Sequence, residues 1–176
     1  TNKYQIHKIM VLFLDFDGVL HPEPCFAKDE FCCLPLIESI LRDFPSVEIV
    51  ISSSWRLTWK YEEESIPQMR KHFSSDIAKR IVGVTPDHRY LERNTAPEGM
   101  SDCLREWECV SWLQTHRSHE TQWLALDDRS YWFKPDSPNL MVTDHATGFL
   151  PSNEAELRMR LAMLIDSARR SNDATA

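Results

Sequence analysis

The chain has 176 residues, with 20 Lys and Arg against 27 Asp and Glu, and its formal net charge is −7. This length suits one domain with one hydrophobic core, and we treat residues 1–176 as a single domain whose core spans about 9–166. Apolar residues make up 42% of the chain and charged residues 27%, which excludes a disordered protein. The acidic balance excludes broad nucleic-acid affinity, although a local basic patch stays open.

The sequence contains no membrane span, because its longest apolar run, residues 9–14, is far shorter than the roughly 20 residues a spanning helix needs. Five cysteines, an odd number without a preceding secretory signal, favour a reduced, cytoplasmic protein. They form no Cys-x-x-Cys pair, so we expect packing residues rather than a structural zinc site.

Short apolar runs alternate with amphipathic stretches along the chain. This alternation predicts an α/β fold, a Rossmann-like three-layer sandwich around a mainly parallel sheet of five strands. The predicted strands are residues 9–14, 47–51, 81–84, 123–126 and 140–143. The first is apolar on both faces, as a central parallel strand should be. The third is expected at an edge.

The predicted helices lie between these strands. They are residues 34–44, one or two helices within 62–80 with Pro67 at a break or first turn, residues 102–116, and a last helix that starts at Asn153. Ser101 and Asn153 are the expected N-caps, and Glu156 stands at the capping-box position. The side chains expected to be buried on 102–116 are Leu104, Trp107, Val110 and Leu113. After Ser171 we expect a frayed tail.

The most informative motif is the acidic turn that follows the first strand. Asp15 and Asp17 stand two residues apart, and alternate residues share a face if the strand geometry continues. Two unpaired carboxylates would repel each other, and a divalent cation removes that conflict, with Mg²⁺ favoured by oxygen ligands. Gly18 permits a sharp exit from the strand. The simpler alternative is a loop of solvated acids at a strand end.

A second acidic cluster, Asp127 and Asp128, follows the fourth strand. If the first and fourth strands are parallel neighbours, their carboxyl ends meet, and ligands bind at such ends in α/β sheets. Up to four carboxylates would then share one site, which requires a metal at neutral pH. The alternative is a turn in which Arg129 pairs with these acids.

Three hydroxyls and an arginine end the second strand. The serines at 52–54 could hydrogen-bond a phosphate oxygen, and Arg56 could clamp it with two parallel bonds. A Ser-rich N-cap before a helix explains the same residues equally well. On the first interpretation, Gly18, Ser54 and Arg56 contact the substrate.

Together these motifs resemble motifs I, II and IV of the haloacid dehalogenase-like hydrolase superfamily, in order and each at a strand end. Within it, the chain looks like the family named for the phosphatase domain of Swiss-Army-knife RNA repair proteins. The stretches that carry the closer resemblance are Ser53 to Arg56; Arg105 and Glu108 leading into Trp112-Leu113; residues 123–128; and residues 142–144 followed by 148–150.

The resemblance implies a role for each site residue. Asp15 would be the nucleophile that forms an aspartyl-phosphate, and Asp17 the general acid and base. Ser53 best matches the motif II hydroxyl, with Ser52 and Ser54 as rival registers. The implied magnesium ligands are the Asp15 side chain, the Asp17 backbone carbonyl, and one or both of Asp127 and Asp128.

The chain departs from the superfamily pattern at motif III, which requires a Lys or Arg. Arg105 stands where the relatives place a basic residue, and Arg56, Arg129 and Lys134 compete with it. The intervals between the motifs leave no room for a large cap domain. We therefore expect a capless enzyme with an open site, narrowed by residues 21–33 and 87–100.

Three functions follow as hypotheses. The first is a Mg²⁺-dependent phosphohydrolase acting on a phosphomonoester. The second is a non-catalytic phospho-Asp signalling module like a response-regulator receiver, although receivers place their acidic pair tens of residues before the phosphorylated Asp. The third, suggested by the family name, is action on a phosphorylated nucleic-acid end, for which some of the six Trp residues could stack on bases. Trp107, Trp112 and Trp123 are more typical of a core.

Overall fold

The computed structural model describes residues 10–173, which form a five-stranded sheet with all strands parallel. The strands are β1 (Met10–Leu14), β2 (Val47–Ile51), β3 (Ile81–Val84), β4 (Trp123–Asp127) and β5 (Leu140–Val142). Their order across the sheet is β3-β2-β1-β4-β5. The α/β prediction is confirmed, including the edge position of β3. Ile9, the predicted first strand residue, lies outside the described residues.

Five helices cover the sheet. They are α1 (Leu34–Asp43), α2 (Glu62–Arg70), α3 (Ser75–Ala78), α4 (Leu104–His116) and α5 (Glu154–Asp173). Within residues 10–173, only loops, short 3-10 turns and these helices connect the strands, without a separately folded cap. No helix in this part of the chain combines the length and apolar character needed to cross a bilayer.

The two faces of β1 pack against different helices, which makes the fold a three-layer sandwich. Leu12 and its alternate neighbours pack with α1, α2, α3 and α5, whereas Val11 and Phe13 face α4. All five β1 side chains are buried, which explains the unbroken apolar run in the sequence. Truncating a side chain such as Phe13 to Ala would cost about 3–5 kcal/mol.

Helix α4 differs from its prediction in start and in buried face. It begins at Leu104 after Cys103, so Ser101 is not its N-cap. Trp107 and Leu113 are buried as expected, but Leu104 and Val110 are only partly buried. Charged side chains are buried on this helix instead: Arg105, Glu106 and Glu108. Their partners lie across the helix on neighbouring loops and strand ends, which an apolar pattern does not reveal.

Helix α5 begins at Glu154, directly after Asn153, so its start agrees with the prediction. The Asn153 side chain, however, accepts a hydrogen bond from the Leu150 N–H and closes a 3-10 turn (Pro151–Asn153). Pro67 lies inside α2 rather than at its boundary. Helix α5 continues to Asp173, beyond the point where we expected fraying, and residues 174–176 lie outside the described part of the chain.

Candidate active site

The pairing of β1 with β4 brings the two acidic clusters together. Leu14 pairs with Leu126, and the Asp15 N–H donates to the Leu126 carbonyl at 3.1 Å. Asp15 follows Leu14, and Asp127 follows Leu126, so the two acidic clusters begin at neighbouring positions of the sheet. One carboxylate oxygen from each of Asp15, Asp127 and Asp128 lies within 4.8 Å of the other two. Three carboxylates therefore converge at the carboxyl edge of the sheet.

Among the described residues, two cations contact this cluster: Arg105, in the first turn of α4, and Arg129, whose Nε lies 3.8 Å from Asp128 Oδ1. Arg105 makes the closer contacts. Its Nη1 lies 2.8 Å from Asp127 Oδ2 and 3.2 Å from Asp15 Oδ2. The guanidinium is almost fully buried, and burial opposes its charge. The charges of Asp15 and Asp127 more than offset that effect, so the pKa of Arg105 is raised. Arg105 thus stays charged and holds two of the three acids in place.

Arg105 and the more distant Arg129 do not fully neutralise the three acids. Burial, and then the charge of Asp15, raises the pKa of Asp127 well above its usual range and that of Asp128 to about 6. The Asp128 side chain is only 3% exposed, and its Oδ1 has no hydrogen-bond partner among the described residues, with Arg129 Nε at an ion-pair distance of 3.8 Å. An all-oxygen donor set with excess negative charge and an unpartnered oxygen fits a divalent cation such as Mg²⁺.

A second group of possible ligands, Asp87, His88 and Glu108, differs in charge balance. Arg89 lies 2.6 Å from Asp87, and Arg56 lies 2.8 Å from Glu108. His88 also contacts Glu108 at 2.8 Å. Because its acids already have cationic partners, this group does not share the charge excess of the Asp15 cluster.

Asp17 lies apart from that cluster and is held by two ring nitrogens. Trp55 Nε1 donates to Asp17 Oδ1 at 3.2 Å and Oδ2 at 2.9 Å, and His21 Nε2 lies 3.0 Å from Oδ1. His21 Nδ1 accepts from the Phe31 N–H, which leaves Nε2 as the protonated nitrogen that donates. The His21 bond, together with Trp55, lowers the pKa of Asp17 although burial opposes this.

The turn after Asp15 depends on Gly18. Its φ is +71°, and a Cβ there would lie 2.6 Å from Asp128 Oδ2. Thr143 Oγ1 donates to the Gly18 carbonyl at 2.7 Å, which fixes the turn against β5. The Phe16 N–H donates to Asp15 Oδ1 at 2.8 Å and orients that carboxylate. The sequence predicted that Gly18 contacts the substrate. In the structure, the absence of a side chain at Gly18 makes room for the Asp128 carboxylate.

The three serines occupy different environments. Ser52 and Ser53 are buried, whereas Ser54 is exposed. The Ser52 N–H donates to the Leu14 carbonyl, which places Ser52 beside Asp15. Ser53 Oγ accepts from the Trp55 N–H at 3.3 Å and caps the turn Ser54–Thr58. The capping interpretation thus holds for Ser53, and Ser52 and Ser53 both stay candidates for the motif II hydroxyl.

Arg56 does not face the site, which corrects the expectation that it clamps a phosphate. It is 4% exposed, and its side chain donates to protein partners at 2.8–3.0 Å: the carbonyls of Ser52, Ser53, Thr85 and Pro86, and the Glu108 carboxylate. Burial lowers its pKa, and the charge of Glu108 opposes that effect. Arg56 ties the ends of β2 and β3 to α4.

The other two rivals for motif III also have partners elsewhere. Arg129 pairs with Glu23 at 2.7 Å and, at 3.8 Å, with Asp128 rather than Asp15, and Lys134 Nζ donates to the Glu98 carbonyl at 2.9 Å. Within residues 10–173, Arg105 is the cation in contact with Asp15.

Sequence reasoning missed four residues that shape the site: His21, Trp55, Glu108 and Thr143. Trp55 and Glu108 stand in the stretches that carried the family resemblance, but their types gave no sign of a partner. His21 follows Asp17 by one helical turn in sequence, yet the two residues meet through an isolated parallel bridge. Only the fold could reveal these contacts.

The parallel sheet with acids at the ends of β1 and β4 defines a haloacid dehalogenase-like domain. The family model described as the HAD domain in Swiss Army Knife RNA repair proteins matches residues 11–153, and the chain belongs to this family. Searches of curated proteins and of solved structures found no significant match. Members of this family are hydrolases that generally depend on Mg²⁺.

Proposed function

We propose that the protein is a phosphomonoesterase that works through a covalent phosphate on Asp15. The observation that carries the proposal is the convergence of Asp15, Asp127 and Asp128, of which the first two contact Arg105. Asp15 is oriented by the Phe16 N–H and by Arg105, so its free lone pairs can attack phosphorus without reorganisation.

In the first step, the Asp15 carboxylate attacks phosphorus and the ester P–O bond breaks. The leaving oxygen takes a proton from Asp17. In the second step, water attacks the aspartyl-phosphate while Asp17 removes a proton from it, and inorganic phosphate and free Asp15 result. The lowered pKa of Asp17 favours the ionised form that this second step needs.

Asp15, the Asp17 carbonyl and one or both of Asp127 and Asp128 would hold Mg²⁺. Bound there, the ion offsets the negative charge of the transferring phosphoryl group. Arg105 supplies a second positive charge beside the nucleophile and limits repulsion between Asp15 and the substrate.

We propose further that the substrate is a phosphorylated nucleic-acid end. The description of the matched family supports this substrate class. The net charge of −7 argues against broad affinity, so the terminal phosphate and its nearest nucleotides would carry the binding.

Phosphate release tests both proposals. The panel compares 3′- and 5′-phosphorylated oligonucleotides with small sugar phosphates, with Mg²⁺ and with EDTA. We expect Mg²⁺-dependent release and a preference for the oligonucleotides. A stable acyl-phosphate without turnover would instead indicate the signalling module, and preference for sugar phosphates would overturn the substrate class.

A further inference from the structure

A cleft of about 700 Å³ lies along the free edge of β3, away from the acid cluster. We call it the β3 cleft. Its walls come from the Ser54–Thr58 turn, the start of α2, the exit of β3, the His88–Tyr90 turn and the second half of α4. Its volume lies in the range of ligand sites.

Aromatic side chains line the β3 cleft. Tyr61 and Tyr90 are 54% and 86% exposed, and Trp59 and Trp112 also line it. Isolated exposed aromatics are common, but here two exposed tyrosines belong to one concave surface. Lys60 lies over one face of the Tyr61 ring, so the Tyr90 ring and the other face of the Tyr61 ring are available to a planar ligand.

Two polar groups in the wall of the β3 cleft lack hydrogen-bond partners. Thr85 Oγ1 and Trp112 Nε1 are the buried side-chain atoms without partners there, and each residue is 2% exposed. Trp112 Nε1 lies against the backbone of β3, because a Cβ at Gly83 would lie 2.7 Å from it. Both unpartnered atoms are enclosed by protein, so a ligand in the cleft would instead meet the exposed polar side chains of its wall, Lys60, Glu62 and Arg89.

The charges around the β3 cleft are balanced. Lys60 and Arg89 contribute positive charges, and Glu62 and Asp87 contribute negative ones. Arg89 pairs with Asp87, and Lys60 Nζ lies 5.0 Å above the Tyr61 ring. The buried Arg56 pairs with Glu108. This balance favours an uncharged group over a phosphate.

In the described sheet, the outer edge of β3 has no neighbouring strand, but side chains prevent it from pairing with a peptide strand. Arg70 donates to the Ile81 carbonyl at 2.6 Å, and Glu62 accepts from the Val84 N–H at 3.4 Å. Side chains that occupy edge groups in this way prevent strand addition. The occupant is therefore recognised by its ring and edge atoms rather than by a peptide backbone.

We propose that the β3 cleft binds a nucleobase of the nucleic-acid end whose phosphate reacts at Asp15. A nucleobase is uncharged, planar and polar at its edge, which matches the walls of the cleft. Asp15 and Thr85 directly follow β1 and β3, which are two strand spacings apart, or about 10 Å. A short single-stranded end can span that distance. The assignment of the ligand to the substrate rests on the proposed function.

Nucleoside binding tests the cleft independently of phosphatase activity. The four unphosphorylated ribonucleosides are titrated into the protein of residues 1–176 by calorimetry. At least one should bind saturably at millimolar concentrations, and Tyr61→Ala or Tyr90→Ala should weaken it about fivefold or more. Tyr131→Ala is the matched control, because Tyr131 is also exposed but lies outside the cleft. It should bind nucleoside as wild type does.

The tyrosine variants also separate binding from folding. Tyr61 and Tyr90 are exposed, so both variants should keep the thermostability of wild type while binding nucleoside more weakly. Absence of nucleoside binding, or unchanged binding in both tyrosine variants, would overturn the proposal. Nucleoside binding without phosphate release would uphold the cleft and refute the proposed reaction. Phosphate release without nucleoside binding would do the reverse.

Discussion

Trp55 donates its single indole N–H to both carboxylate oxygens of Asp17, at 3.2 and 2.9 Å. The indole also packs edge-on against Phe16, with ring centroids 5.7 Å apart. Phe16 stands between Asp15 and Asp17 in the sequence. The loop after β2 therefore fixes a side chain that belongs to the loop after β1. In the proposed reaction, this contact sets both the position and the protonation of Asp17.

Trp55→Phe should keep the ring packing and lose the hydrogen bonds. We expect kcat to fall about tenfold, because a less fixed Asp17 is a poorer proton donor and acceptor. The acidic limb of the pH–rate profile should move to higher pH, since the Trp55 bond helps to lower the Asp17 pKa. Trp123→Phe, at the start of β4, is the control. An unchanged profile would show that Trp55 does not act through Asp17.

Gly18→Ala should disable the metal site. The new Cβ would lie 2.6 Å from Asp128 Oδ2, so that carboxylate must move. We expect loss of the Mg²⁺-induced increase in Tm and of phosphate release. Gly99→Ala is the matched control, because Gly99 has a similar φ of +73° but its Cβ would meet only the Lys134 side chain, at 3.7 Å. The strain of a left-handed alanine, about 1–2 kcal/mol, is common to both variants. Equal Mg²⁺ responses would contradict the role of Gly18.

The metal-free protein should lose stability as the pH rises from about 4 to 6. Asp128 has a folded pKa of about 6, above the usual 3.9 of the unfolded chain, and that of Asp127 is also raised. The folded state then binds more protons in this window, so the free energy of unfolding falls as the pH rises. Asp17, with its lowered pKa, acts in the opposite direction, but below about pH 4.

Mg²⁺ should reverse this loss, because it binds the deprotonated carboxylates. Thermal unfolding in EDTA and in Mg²⁺ at pH 5 and pH 7.5 measures the effect. The Mg²⁺-induced increase in Tm should be larger at pH 7.5. Asp128→Asn should reduce both the pH dependence and the response to Mg²⁺. A larger increase at pH 5 would contradict the proposed ligands.

Arg56→Gln should mainly reduce stability. The change leaves Glu108 with its contacts to His88 and Arg105 and removes the donor to four backbone carbonyls, at a cost of up to about 3–5 kcal/mol. Urea unfolding measures the change. Arg42→Gln, which breaks a surface pair with Asp76, should leave the free energy of unfolding nearly unchanged. Full stability with a raised KM would instead support the phosphate clamp that the sequence suggested.

The sheet and the acid cluster could be predicted because they depend on local patterns. The apolar run of β1 and the acids directly after β1 and β4 are visible in sequence, and parallel neighbours bring such ends together. The charged side of α4 could be predicted only in part. The family resemblance indicated Arg105 as the cation of the site, but residue type and spacing did not indicate that Glu108 would be buried against Arg56, which a distant segment brings to it.

The sequence could not decide the role of Arg56, for a related reason. An arginine at a strand end beside serines is consistent with either a phosphate ligand or a structural brace. The choice depends on the carbonyls of Thr85 and Pro86, which belong to the exit of β3. Residue type and spacing do not indicate that the exit of β3 lies against Arg56.

The most direct measurement is phosphate release by Asp15→Asn compared with wild type under saturating Mg²⁺, with mass spectrometry of acid-quenched protein for an aspartyl-phosphate. The variant keeps the size of the side chain and loses the nucleophilic carboxylate. We expect turnover by wild type, with phosphate trapped on Asp15, and neither turnover nor trapped phosphate in the folded variant. Unchanged phosphate release by Asp15→Asn would contradict covalent catalysis through Asp15.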